Sequence, residues 1–328
     1  MTIAFAGLRH AHIYVLADIV RADPSVTVSG FWEENDEAAG EARRFFTEHE
    51  YASYDELLAD PKVETVAIGD YYGIRGQRII QALKAGKHVL TDKPVCTSLE
   101  ELDEIEKLCR KTGLKLGCML DLRYDPALRL AGELIREGKL GEIRSISFTG
   151  QHPLLWGSRP MWYFEEGKHG GTLNDIAIHG LDALEMVTGI PYAETLFVRQ
   201  WNQYAVHAPD FADSAQFVGK LANGASVMAD VSYSAPPAAF RLPSYWRFTF
   251  WGENGYLECR LGEGSVTIAC AEDASARVLQ APVVSANCLS DLMDDISKLA
   301  PRFDTNSVLQ SSRIALELQQ AADQKGKE

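Results

Sequence analysis

Lys93 lies between Asp92 and Pro94, and Asp175 and His179 stand four residues apart just after Gly170-Gly171. These residue types handle protons. An imidazole can take a hydroxyl proton near neutral pH, and an ammonium beside the same oxygen can stabilise the charge left there. On a helix, a four-residue spacing puts Asp175 and His179 on one face. Pro94 biases Lys93 away from helical angles and toward an extended conformation. Each feature also has a plain reading: surface lysines before proline are common, and an Asp/His pair is more often a helix-face hydrogen bond. The weight lies in their occurring together.

The elements that must carry these residues follow from periodicity. Apolar runs at 3–6, 26–32, 63–69, 88–90 and 115–119 alternate with helix-like segments such as 36–46, 74–85 and 99–110. Ser98 with Glu101 three residues on is a capping box for the last of these. Near-continuous apolar strands alternating with helices predict a doubly wound, Rossmann-like parallel sheet over 1–120. Lys93 then sits at the carboxyl edge of that sheet, where open α/β sheets bind ligands.

After 120 the pattern changes. A helix is expected at 126–137, a strand at 143–150, a polar and aromatic loop at 151–168, and a helix from 171 to 187. Strand-like runs follow at 195–201, 215–221, 225–232, 246–251, 256–260 and 266–269. Asn223-Gly224 and Asn254-Gly255 sit where tight hairpin turns belong. The expectation for 121–328 is an α+β domain with a large, mostly antiparallel open sheet, for substrate binding and oligomerisation. Residues 284–321 read as helix, with the C-terminal helices as candidates to pack back on the first domain. The polar end from Asp323 is expected to fray.

Gly7 follows the first strand and precedes a helix, where glycine lets backbone approach a pyrophosphate. The usual fingerprint has three glycines. Here the stretch is Gly7-Leu8-Arg9-His10-Ala11-His12, with Arg9 and His12 at the second and third glycine positions. Arg9, His10 or His12 could add phosphate contacts, or the turn could have lost its phosphate site. Glu33 closes the second strand, where an acid accepts hydrogen bonds from ribose hydroxyls. Glu34 follows, and no arginine is adjacent in sequence, which favours NAD over NADP. Two histidines with no acid beside them in sequence argue against a metal ion, so none is expected.

A chain of 328 residues suggests two domains, and 46% hydrophobic with 24% charged residues is ordinary globular composition. A net charge of −14 argues against a nucleic-acid partner. The six cysteines form no CxxC pair and read as reduced thiols of a cytoplasmic protein. No secretory signal or membrane span is visible.

Together these segments resemble the glucose–fructose oxidoreductase / inositol dehydrogenase (Gfo/Idh/MocA) family. The resemblance runs through Tyr54-Asp55-Glu56-Leu57-Leu58, Ala82-Leu83-Lys84-Ala85-Gly86-Lys87-His88-Val89 and Asp92-Lys93-Pro94. It continues through Arg123-Tyr124-Asp125-Pro126, Gly138-Lys139-Leu140-Gly141-Glu142-Ile143 and Gly170-Gly171-Thr172-Leu173-Asn174-Asp175 with His179. It implies NAD-dependent oxidation of a secondary hydroxyl of a sugar, inositol, polyol or sugar acid, or the reverse reduction. His179 would take the proton, Lys93 would bond the same oxygen, and Asp175 would bind a neighbouring hydroxyl or orient the site. A homodimer or homotetramer is implied as well. Relatives also include ligand-sensing regulators without turnover and glycoside hydrolases that cycle NAD, and both stay open here.

The chain departs from the family pattern in two places. Asp92 stands for the usual Glu before the lysine. Where the family shows T-P-N-x-x-H, this chain reads Asp70-Tyr71-Tyr72-Gly73-Ile74-Arg75, so Tyr72 replaces the asparagine and Arg75 the histidine. The expected cofactor contacts are therefore Gly7, Arg9, His10, His12, Glu33, Asp70, Tyr72, Arg75, Asp92 and Lys93. Arg123, Trp156, Arg159, Trp162 and Tyr163 are substrate candidates, with His152 in the same loop. Their other reading is aromatic packing beneath the 171–187 helix, with Arg123 and Tyr124 structural.

Overall fold

The computed structural model describes residues 1–237, 245–299 and 301–325. The chain divides into two compact units. The first comprises Met1–Leu120, Pro160–Gly170 and Ala286–Arg313.

Its strands are β1 (Thr2–Ala6), β2 (Thr27–Trp32), β3 (His49–Glu50), β4 (Thr65–Ile68), β5 (His88–Thr91) and β6 (Leu116–Cys118). They form one parallel sheet in the order β3-β2-β1-β4-β5-β6. This is the doubly wound order, in which ligands bind at the carboxyl ends where the strand order reverses, beside β1 and β4. Both β1 and β4 are almost wholly buried, as a sheet covered on both faces requires. The helices between strands are α1 (His12–Ala22), α2 (Asp36–Phe45), α3 (Tyr54–Ala59), α4 (Tyr72–Lys84) and α5 (Leu99–Thr112). Asn35 and Ser53 cap α2 and α3 by accepting backbone N–H groups. Ser98 caps α5 in the same way, but Glu101 returns to the N–H of Thr97, so the expected box closes one residue early.

The second unit comprises Asp121–Arg159, Gly171–Ser285 and Ile314–Glu328. It contains α6 (Pro126–Arg136), β7 (Ile143–Pro153) and α7 (Ile178–Thr188), followed by β8 (Tyr192–Trp201), β9 (Ser214–Leu221) and β10 (Ser226–Ala235). Next come β11 (Trp246–Gly252), β12 (Gly255–Arg260), β13 (Ser265–Cys270) and β14 (Arg277–Gln280). Among the described residues the sheet order is β14-β13-β12-β11-β7-β10-β9-β8, antiparallel except where β7 and β10 run parallel.

One of the two expected hairpin turns differs in position. Gly252 pairs with Gly255, so the β11–β12 turn is Glu253-Asn254 and Gly255 is the first strand residue. Gly255 is required there because a Cβ would come within 2.2 Å of the Ala269 carbonyl oxygen. In the β9–β10 turn, Gly224 takes the left-handed conformation with φ +86°.

The helical stretch expected at 284–321 consists of two helices, α8 (Cys288–Ile296) and α9 (Thr305–Lys325). Lys298 breaks them with a left-handed φ of +57°. The expected fraying from Asp323 is not seen at 323–325, which remain helical. Residues 326–328 lie outside the described residues. No described helix is long and apolar enough to cross a membrane.

Candidate active site

In the first unit the candidate residues collect at the carboxyl edge of the sheet. Gly7 leaves β1 with φ +67°, and a Cβ there would sit 2.5 Å from the Asp70 side chain. Only glycine fits so tight and left-handed a turn. The chain then enters α1 at His12, and the position before it, Ala11, gives no side-chain cap.

Glu33 closes β2 as expected but turns inward. Its two oxygens accept the backbone N–H groups of Leu8 and Asn35, so it holds the turn together. Burial raises its pKa against the pull of those two N–H groups. Arg9 donates to Asp70 at 2.7 Å and to Glu34 at 2.7 Å, and its guanidinium lies over the Tyr71 ring. Arg78 reaches Glu34 from the other side at 2.8 Å. Space therefore supplies the arginines that sequence adjacency lacked. Both are already paired with carboxylates, and a 2′-phosphate would have to displace those pairs, so the preference for NAD stands on different ground.

Asp70 at the end of β4 keeps Oδ2 buried and without a hydrogen bond, although Arg78 Nε lies 3.7 Å away. A buried carboxylate oxygen in that condition suits a hydroxyl donor. With the left-handed glycine turn, this makes the edge a fit for a nucleotide with free ribose hydroxyls.

Two expected cofactor contacts are buried and engaged with protein partners. Arg75 is fully buried, and its guanidinium donates to the backbone carbonyls of Asp70, Asp92 and Pro94. It ties the ends of β4 and β5 together, as a planar fork with several donors can do. Tyr72 is also fully buried, its hydroxyl 2.9 Å from that of Tyr163 and 3.3 Å from His10 Nε2.

Lys93 is buried directly after β5, with its backbone N–H donated to Asp92 Oδ1 at 2.7 Å. The Lys93–Pro94 peptide is cis. Asp92 is shared by two imidazoles: Oδ2 faces His10 Nδ1 in a very short contact, and Oδ1 lies 3.2 Å from His12 Nδ1. Although burial opposes it, His10, His12 and Arg75 hold the Asp92 carboxyl well below its usual range. Burial pushes the His10 imidazole down to about 3. The absence of an acid, which counted against metal ligation in the sequence, is thus corrected: Asp92 is that acid.

The segment 160–170 belongs to this same unit. Trp162 Nε1 donates to the carbonyl of Arg9 at 3.3 Å, and the Tyr163 hydroxyl lies 2.6 Å from His10 Nε2. Trp162 and Tyr163 form a buried cluster with Tyr72. Within this unit they pack against the nucleotide turn and the start of α4. Gly73 permits the contact, since a Cβ there would come within 2.0 Å of the Gly167 carbonyl oxygen.

In the second unit, Asp175 and His179 are buried and lie on consecutive helical segments. Asp175 sits in a π-helical turn, Leu173–Ala177, that runs directly into α7. The expected plain α-helical spacing is therefore corrected: the wider turn changes the face Asp175 shares with His179. The Gln319 side chain accepts the N–H groups of Leu173 and Asn174, capping the turn from α9. Gly171, at φ +94°, makes room for it, because a Cβ would strike the Gln319 amide. The buried Tyr233 hydroxyl donates to Asp175 Oδ2. His179 meets the Trp246 ring edge-on at 5.9 Å.

The substrate candidates divide. Arg123 is buried and bound in bidentate fashion to Asp182 at 2.8 and 2.6 Å, an arrangement that fits the structural alternative. Arg159 donates to the carbonyls of Pro153 and Leu154 and lies 5.3 Å over the Tyr233 ring. Trp156 is partly exposed and stacks near His207. His152 lies among Tyr233, Tyr245 and Trp246. Sequence reading missed Tyr233 and Gln319. Neither carries a local signal, because they reach the site from 58 residues and more than 140 residues away.

Comparison with known proteins places these features. Residues 1–119 match the model of an oxidoreductase family with an NAD-binding Rossmann fold, and residues 128–258 match a GFO/IDH/MocA C-terminal domain. Levoglucosan dehydrogenase of Pseudarthrobacter phenanthrenivorans is 30% identical over 175 residues, covering 52% of this chain and 44% of that protein. The scyllo-inositol 2-dehydrogenase (NADP(+)) IolW of Bacillus subtilis is 28% identical over 158 residues, 47% of this chain and 43% of that one. The matches thus span about half the length of these relatives or less. Among solved structures, levoglucosan dehydrogenase in complex with NADH and levoglucosan superposes with a TM-score of 0.79 at 19% identity, covering 99% of this chain and 97% of that one. At that identity the likeness is one of fold.

Proposed function

The chain belongs to the GFO/IDH/MocA oxidoreductase family, and from that premise we propose that it oxidises a secondary hydroxyl of a sugar, inositol or related polyol or sugar acid, or reduces the corresponding ketone. NAD, when bound, supplies the hydride acceptor. Its holding residues are the Gly7 turn with Arg9 and Asp70. The observation that carries the reading is Lys93: a buried lysine at the carboxyl end of β5, on the edge where this fold takes its ligand.

His179 takes the hydroxyl proton, a role suited to imidazole. Lys93 stabilises negative charge developing on a reacting oxygen. Asp175, fixed by Tyr233, accepts a neighbouring substrate hydroxyl. Polyhydroxylated substrates fit the site's known relatives, and the buried acid and base fit a reaction in which only a proton and a hydride leave.

Thermal unfolding with NAD, with NADP and with neither tests the cofactor. NAD should raise the midpoint, by an amount set by its concentration over its dissociation constant. If neither nucleotide does, the dehydrogenase reading fails. NADH absorbance with a panel of sugars, inositols and sugar acids then tests the substrate class.

A further inference from the structure

We propose that His10, His12 and Asp92 form a binding site for one divalent transition-metal ion of the zinc, nickel or cobalt class. The three residues come from two separate elements. His10 lies in the turn after β1, His12 is the first residue of α1, and Asp92 follows β5. One donor atom from each lies within 4.8 Å of the others. Both histidines present Nδ1 to the same carboxylate, one on each oxygen, and their ring centroids are 4.4 Å apart.

The donor types select the ion. Two imidazole nitrogens with one carboxylate suit zinc and its neighbours, whereas magnesium and calcium require oxygen donors. Three protein ligands also leave a coordination position for water or another ligand. The side chain of His12 is 44% exposed while that of Asp92 is fully buried, which gives the ion an entry path on the His12 side.

The surroundings hold the ligands in place. Histidines that bind metals usually engage their second nitrogen with an outer partner, and these partners fix the ring. His10 does so: its Nε2 lies 2.6 Å from the Tyr163 hydroxyl, which is itself bonded to Tyr72. Asp92 is oriented by the N–H of Lys93 and by Arg75, 3.4 Å away. The Arg75 charge works against a cation, so the site binds more weakly than a closed four-ligand centre. A purely hydrogen-bonded His–Asp–His group is the competing account. In that account Asp92 already has a full set of donors and the turn gains nothing from a metal.

The test uses untagged protein, stripped with a chelator and measured without nucleotide, so that it stands apart from the cofactor reading. Cobalt(II) is titrated with visible absorption as the readout, and zinc with calorimetry. The expected result is one equivalent of each, with cobalt bands of nitrogen and oxygen ligation. His12→Ala should weaken binding by about tenfold or more, with a cooperative unfolding transition in the absence of metal showing that the variant is folded. His49→Ala and His207→Ala, which remove exposed histidines elsewhere, should bind as the parent does. No stoichiometric binding by the parent, or equal affinity in His12→Ala, overturns the proposal. Asp92→Asn should also lose the ion; if that variant does not fold, the His12 comparison decides alone.

Discussion

The hydroxyl of Tyr233 is donated to Asp175, joining β10 to the π-helical turn that precedes α7. A buried carboxylate loses part of the compensation for its desolvation when such a donor is removed. Tyr233→Phe should therefore lower stability by about 1–3 kcal/mol, the range for a buried group left unsatisfied. The midpoint of urea unfolding measures this. If Asp175 binds substrate, the same variant should also raise KM; an unchanged KM would confine Asp175 to a structural role.

Lys93→Ala should reduce kcat by about 10²–10³-fold, the usual loss when one donor to a developing oxyanion is removed. Nucleotide binding, followed as the thermal shift, should survive, since the turn at Gly7 is untouched. Retained turnover would exclude the role assigned to Lys93.

Arg123 and Asp182 form a buried bidentate pair within the second unit. Arg123→Ala removes the bidentate partner of buried Asp182 and should cost about 3–5 kcal/mol, as breaking a buried pair from one side does. Were Arg123 a substrate ligand instead, KM would rise while the unfolding midpoint held. Denaturation and steady-state kinetics on the one variant separate the two.

Asp295 is a pH-sensitive fastener. It accepts from Lys115 at 2.7 Å and from both the N–H and hydroxyl of Thr305, so α8, the start of α9 and the approach to β6 meet on one carboxylate. Burial opposes the charge, but these donors hold its pKa below the ordinary value of 3.8. A lowered carboxylate pKa contributes stability above the unfolded value and loses it as pH falls through the folded one. Asp295→Asn should thus cost about 1.5–3 kcal/mol at neutral pH, the range for hydrogen bonds to a charged group. The gap between parent and variant should close as pH drops below about 4. Unfolding curves across that range measure it, and a gap that persists in acid would contradict the linkage.

The strands of the first sheet are legible because burial on both faces writes them as apolar runs. β3 has only two residues, and β14 is largely exposed; neither leaves a pattern to read. The break between α8 and α9 depends on a left-handed Lys298, which no composition announces. At the site, the chemistry proposed for Lys93, Asp175 and His179 rests on residue type and spacing. The commitments of Arg75 and Arg123 are not visible there, because an arginine bound to backbone carbonyls or to a buried acid has the same letter as one facing a ligand. The link between Asp92 and His10 spans 82 residues, and only the fold brings it about.

The segment 160–170 and the helices from 286 onward belong to the first unit, although the chain on either side of 160–170 belongs to the second. The first unit is therefore discontinuous in the gene. During synthesis, the first 120 residues emerge without α8, which packs against β5 and β6 at the sheet edge, and without the aromatic cluster that packs on the Gly7 turn. An uncovered edge strand is open to pairing with other chains, and contacts closed over such long separations form late. A fragment ending near Leu120 should thus be an aggregation-prone intermediate, and the first unit is complete only once the chain has been made through Arg313.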